Sequence, residues 1–148
     1  MNAATAKAGD TALTLAANLS RYPLDILILY PLLTRGPALT LAANLGSAEI
    51  VELLLDAGAD LEAKNKRGWT AVMSAVDGGR KSIVRLLLSR GASANAAAVK
   101  TGWTALMAAS SSGFKDISKM LVGAGADVNA VQTQGWSPLH IAAQVNSF

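Results

Sequence analysis

The sequence predicts an all-α solenoid in which short helix pairs stack one upon the next, and three observations carry that prediction. Tryptophans recur at Trp69, Trp103 and Trp136, 34 and 33 residues apart, and a fixed period of this size marks a repeated structural unit. The apolar content is mostly Ala and Leu, with aromatics at only 5%, which suits small close-packed helices better than a sheet of β-branched residues. The apolar segments inside each period are too short to be stable helices alone, so stacking must hold them.

Composition sets the bounds within which any motif can be read. A chain of 148 residues fits one domain with a continuous core. Hydrophobic residues at 51% against charged residues at 16% argue for a folded chain. With no cysteine, disulfides, thiolate metal sites and cysteine nucleophiles are excluded, and one histidine makes no histidine metal cluster within a chain. A net charge of +3, mixed in sign, is neither a nucleic-acid nor a membrane footprint. The apolar run Leu24–Leu33 is broken by Asp25 and Pro31 and falls short of the roughly 20 residues of a membrane span, so it reads as a buried helix. Met1–Asp10 lacks the apolar run and basic flank of a secretory signal. The expectation is a cytoplasmic protein with no membrane association.

The elements follow from the same period. Ala42, Ala75, Ala109 and Ala142 recur at 33, 34 and 33 residues, and Gly58, Gly91 and Gly125 at 33 and 34. The one extra residue is assigned to Ala96-Ala97-Ala98, between elements, where insertion costs little. In each unit a hydroxyl opens the first helix (Thr70, Thr104, Ser137) and a glycine closes it (Gly46, Gly79, Gly113). The second helix carries the apolar clusters Ile50–Leu55 and Ile83–Leu88 and runs to Gly58, Gly91 or Gly125. Its charges, Glu52, Arg85 and Lys119 at one repeat position, predict an exposed Glu52–Arg85 contact worth at most about 1 kcal/mol.

These residues resemble the ankyrin repeat family, whose motif is Thr-Pro-Leu-His-x-Ala in a 33-residue period. Ser137-Pro138-Leu139-His140-Ile141-Ala142 is closest to it, while Thr70-Ala71-Val72-Met73 and Thr104-Ala105-Leu106-Met107 keep the hydroxyl and replace Pro and His. Gly58-Ala59-Asp60 and Gly125-Ala126-Asp127 resemble the family's helix exit into a projecting β-turn finger. The expected organisation is one domain, 1–148, with an atypical unit lacking a finger at about 1–36, full units at 37–69, 70–103 and 104–136, and a truncated unit at 137–148. Within the first of these, Ala12–Leu19 repeats as Ala38–Leu45 only 26 residues later, roughly seven short of the period. At the other end Leu139, Ile141 and Val145 leave an apolar face, which predicts either a piece of a longer protein or self-association.

The resemblance implies a scaffold or adaptor that holds a protein partner on the concave face of fingers and first helices, without enzyme chemistry. The contact residues it implies are Trp69, Trp103 and Trp136; Lys64, Lys66, Arg67, Lys100, Thr133 and Gln134 in the fingers; and Asn44, Asp77, Ser111 and Gln144 at the first-helix ends. Tryptophan is favoured at binding hot spots, though each indole could equally pack against its neighbouring finger. Lys64, Lys66 and Arg67 would suit an acidic patch on the partner; one basic finger argues only weakly for nucleic acid. His140 has no orienting carboxylate, and the resemblance implies that its ring hydrogen-bonds between repeats. No catalytic, cofactor or metal motif stands out. The alternative function is a structural spacer, or a fragment of a repeat protein whose activity lies elsewhere.

Overall fold

A computed structural model of the chain describes residues 37–146. The atypical unit expected over residues 1–36, including the Leu24–Leu33 helix, lies outside the described residues. Seven helices follow in order: α1 Pro37–Leu45, α2 Ala48–Asp56, α3 Ala71–Asp77, α4 Lys81–Ser89, α5 Ala105–Ser112, α6 Lys115–Gly123 and α7 Pro138–Val145. They sort into two rows, an inner one of α1, α3, α5 and α7 and an outer one of α2, α4 and α6, with each outer helix packed on its inner neighbour. The fold is therefore the all-α solenoid that the period predicts. Among the described residues, extended pairing is confined to an isolated bridge between Ala97 and Thr104.

One residue per unit anchors the stack from the outer row. Leu54, Leu87 and Leu121 share a repeat position and are fully buried, joined by Ile83, Ile117, Met73 and Met107. Burying each such side chain contributes about 1.5–3 kcal/mol, which no helix of seven to nine residues could supply by hydrogen bonding along its own axis.

The caps vary from unit to unit. The hydroxyls of Thr104 and Ser137 accept from the backbone N–H groups of Met107 and His140. Thr70 has the same extended backbone, yet its hydroxyl makes no capping bond and is buried without a partner. The expected Thr70 cap is thus one of backbone conformation only. His140 closes a capping box on its own helix: its Nδ1 accepts from the Ser137 N–H at 3.2 Å and lies 2.7 Å from Ser137 Oγ. That corrects the bond between repeats that the resemblance implied. A ring in the first helical turn reaches back to its own N-cap, and among the described residues its hydrogen bonds go to Ser137 of the same unit.

Gly46 shows why a glycine ends the first helix. Its φ is +84°, and a Cβ there would lie 2.7 Å from Cδ of Arg80, which crosses the turn from the next unit to donate from Nε to Asn44 O at 2.9 Å. Gly79 and Gly113 turn the same corner, at φ +65° and +70°.

Two expectations are corrected by the backbone and the charges. The extra residue sits in the finger tip 99–102, because the pairs Asn65 N–Trp69 O, Ala98 N–Trp103 O and Gln132 N–Trp136 O close equivalent turns and only the middle one is longer. Ala98 is buried and cannot host an insertion, whereas Val99 is 82% exposed. The outer-row ion pairs are Arg90–Asp56 at 3.0 Å and Lys81–Asp116 at 2.9 Å, and among the described residues Glu52 and Arg85 form none. Charges at the helix ends, rather than the middle, face the next unit.

A polar ladder also joins the turns that follow the second helices. Glu62 Oε1 accepts from Ser93 N–H at 2.7 Å, and at the next unit's equivalent position Asn95 Oδ1 accepts from Asp127 N–H at 2.6 Å while its amide donates to Gly125 O at 2.9 Å. Each turn is thereby held by the side chain before it. No helix among the described residues is long and apolar enough to cross a membrane.

Candidate functional site

The fingers are built by short side-chain-to-backbone bonds. In the first, Asn65 Oδ1 accepts from the N–H groups of Arg67 and Trp69 at 2.9 and 3.1 Å, while its carbonyl takes Gly68 N–H. A residue whose carboxamide meets two donors of a tight turn and whose backbone carbonyl meets a third pins the turn's shape. In the third finger Gln132 plays this part, its side chain accepting from Gln134 N–H. In the second, Ala98 has no such group, and Thr101 Oγ1 accepts from Trp103 N–H at 3.2 Å instead. Fingers are tied to one another by Lys64 Nζ to Ala97 O and by Thr133 N–H to Thr101 O, both 2.9 Å.

Where the first finger faces the inner row, a groove of about 500 Å³ opens, lined by Thr40, Leu41 and Asn44 of α1, Asn65, Lys66, Arg67 and Trp69 of the finger, and Ser74 and Asp77 of α3. The Asn44 amide spans the two helices, donating to Ser74 O at 3.1 Å and to Asp77 Oδ2 at 3.4 Å. The Arg67 guanidinium carbon lies 5.2 Å from the centre of the Trp69 ring, within cation–π range. The finger therefore brings cations and an indole to the groove, α1 brings the aliphatic Leu41, and α3 brings the Asp77 carboxylate.

The groove gathers five of the residues expected at the site: Asn44, Lys66, Arg67, Trp69 and Asp77. Lys64 is turned away to its bond with Ala97, so the basic tip is made by two cations, not three. Lys100, Thr133, Gln134, Ser111 and Gln144 are exposed but lie outside the groove. The tryptophans differ among themselves. Trp69 and Trp103 are half-buried against the core, while Trp136 is 37% exposed. Thr40, Leu41, Asn65 and Ser74 are the residues that sequence reasoning missed; Thr40, Leu41 and Asn44 share one helical face at i, i+1 and i+4, a signal that was present.

Hydrogen bonding and attraction from Lys81 hold the Asp116 carboxyl below its ordinary value, and this group belongs to the outer row. Among the described residues no group of three His, Cys, Asp or Glu side chains could hold a metal ion.

The family model for ankyrin repeats in three copies matches residues 25–98 and 94–148. The chain belongs to the ankyrin repeat family. Among relatives, the human ankyrin repeat and KH domain-containing protein 1 is 48% identical over 65 residues, 44% of this chain and 3% of that protein. The Drosophila melanogaster ankyrin repeat and KH domain-containing protein mask is 48% identical over 65 residues, 44% of this chain and 2% of that protein. Human mitochondrial disaggregase is 43% identical over 61 residues, 41% of this chain and 9% of that protein. The chain thus matches only a small part of the length of each. Ankyrin repeats are generally protein-interaction modules.

Proposed function

We propose that this ankyrin repeat chain is a scaffold or adaptor module that holds a protein partner on the inner face formed by its fingers and first helices. The single observation that carries the reading is the groove, in which a rigid indole, an aliphatic side chain and charged groups of both signs converge from α1, α3 and the first finger. Convergent polar groups around an apolar floor are the make-up of recognition sites in proteins. Lys66 and Arg67 favour a partner with an acidic patch. Trp103, Trp136, Lys100, Thr133, Gln134, Ser111 and Gln144 would extend the contact along the same face, and Lys64 would act through the finger it braces. We place the protein in the cytoplasm and assign it no catalytic step.

The test is retention of binding partners by the whole chain, in wild type and in a Leu41→Glu variant that blocks the groove floor. An outer-row Glu52→Lys variant is the control, and circular dichroism melts establish that all three fold. Partners kept by the control and lost by Leu41→Glu support the reading; equal retention by all three refutes it and moves the assignment to a structural spacer.

A second reading, self-association through α7, has one observation in its favour. Leu139 is 77% exposed, whereas Val72 and Leu106 at the same repeat position are 1% and 4% exposed under the next inner helix. A concentration-dependent mass in light scattering, abolished by Leu139→Arg, would favour it.

A further inference from the structure

Four basic side chains of the described residues, on the fingers, the turns and the outer row, are engaged within the fold. Lys64 and Arg80 donate to backbone carbonyls of adjacent units, and Lys81 and Arg90 pair with Asp116 and Asp56. Lys66 and Arg67 line the groove and take part in no ion pair among the described residues. Arg67 is nevertheless held in place, because its guanidinium rests over the Trp69 ring. Stacking leaves the edges of a guanidinium open, and those edges match the two oxygens of a carboxylate.

A second observation is independent of charge. Ser74 is 3% exposed, lines the groove, and its hydroxyl has no hydrogen-bond partner, although its backbone carbonyl is already met by Asn44. A buried hydroxyl left unmet costs stability, so a polar group that reaches it from the groove by a small side-chain shift relieves that cost. Thr70 Oγ1 is also buried and unmet but lies outside the groove lining and carries no part of the argument. Asp77, carried into the groove by α3 rather than by the finger, would repel a carboxylate, so an acidic side chain is favoured beside the finger cations.

Resting on the reading of this face as a protein-binding surface, we propose that the groove takes an acidic peptide segment of the partner. An Asp or Glu side chain sits on Arg67, with Lys66 beside it. A neighbouring apolar side chain rests on Leu41 and Trp69, and a polar group of the segment bonds to the Ser74 hydroxyl. The apolar floor and Asp77 favour a peptide over a polyanionic nucleic acid strand, whose successive phosphates would crowd against that carboxylate.

The experiment selects peptides from a displayed library of random short segments on the full chain, in parallel on wild type, Arg67→Gln, Ser74→Ala and Lys119→Gln, the last an outer-row control. The expected result is an excess of Asp and Glu beside an apolar residue among wild-type and control binders, absent from those taken by Arg67→Gln. A synthesised wild-type binder should lose about tenfold in affinity to Arg67→Gln and a few-fold to Ser74→Ala. Ser74→Ala should melt no lower than wild type, because it removes an unmet buried hydroxyl, whereas a merely structural serine would melt lower. Binders with no acidic excess, lost on Leu41→Glu, would overturn the acidic assignment and leave the protein-binding reading standing. No binders at all would overturn both. A single-stranded oligonucleotide that displaces the selected peptides at lower concentration than they bind would overturn the peptide in favour of phosphate.

Discussion

Gly78 offers a substitution whose sign the local backbone and the repeat stack predict oppositely. It caps α3 at φ −76°, ψ −3°, a conformation in which alanine is at ease, so replacing glycine there should gain about 0.5–1 kcal/mol from the unfolded state alone. An added Cβ, however, would lie 2.4 Å from the carbonyl oxygen of Asn44 in the preceding unit, about 1 Å inside ordinary contact. That oxygen cannot retreat freely. It ends α1, accepts from Arg80 Nε at 2.9 Å, and belongs to a residue whose amide is bonded to Ser74 O. Forcing the two inner helices apart costs about 1–3 kcal/mol as overpacking, and losing the Arg80 bond about 1 kcal/mol more. The net expectation for Gly78→Ala is a destabilisation of about 2 kcal/mol, or about 5 °C in melting temperature for a chain of this size. Gly123→Ala is the matched control: it ends α6 with nothing within 4 Å of the new Cβ, and should be stabilised by up to about 1 kcal/mol. Urea and thermal melts followed by circular dichroism measure both. If Gly78→Ala is as stable as Gly123→Ala, the close approach of α1 and α3, and with it the groove they line, is wrong.

Three further outcomes are expected. Thr104→Val should cost about 1 kcal/mol by removing the bond from Met107 N–H. Thr70→Val should be neutral or stabilising, because its hydroxyl is unmet; chemical denaturation of the pair checks this. Trp103→Ala should lower stability by about 3 kcal/mol or less, as a half-buried version of a core deletion, while Trp136→Ala should leave the melt close to wild type, so partner affinity lost by the latter alone reports contact rather than packing. Finally, Lys81→Gln should raise the Asp116 pKa toward the ordinary carboxylate value in a carboxyl NMR titration. Since Lys81 lowers that pKa in the folded state, the stabilisation it brings is present above the unfolded carboxylate value and fades as pH falls through the lowered one. Its size is small because both partners are largely exposed.

The repeat itself was legible in the chain because its signals are local and periodic. Glycines at 46, 79 and 113 are needed where the backbone turns through positive φ, and that requirement is the same whatever packs nearby. The apolar clusters that hold Leu54 and Leu87 were legible for a related reason, since a short helix with one apolar face must bury that face on its neighbours. The candidate site was legible only in part. Trp69, Arg67 and Lys66 stand out in a finger, but Ser74 does not, because a serine inside a helix has the same sequence context whether its hydroxyl is solvated or sealed.

What the sequence determined by itself was therefore the unit, its two helices and the order of stacking, all of which follow from spacing within about one period. Tertiary structure alone decided which residues meet across units. It paired Arg90 with Asp56 and Lys81 with Asp116 instead of Glu52 with Arg85, lodged the extra residue in the exposed finger tip, returned His140 to its own cap, and brought Leu41 and Ser74 to one groove with Arg67. Such meetings depend on the rotation and offset between successive units. A displacement of one helical turn changes every partner while leaving the period untouched, and no single-chain pattern encodes it.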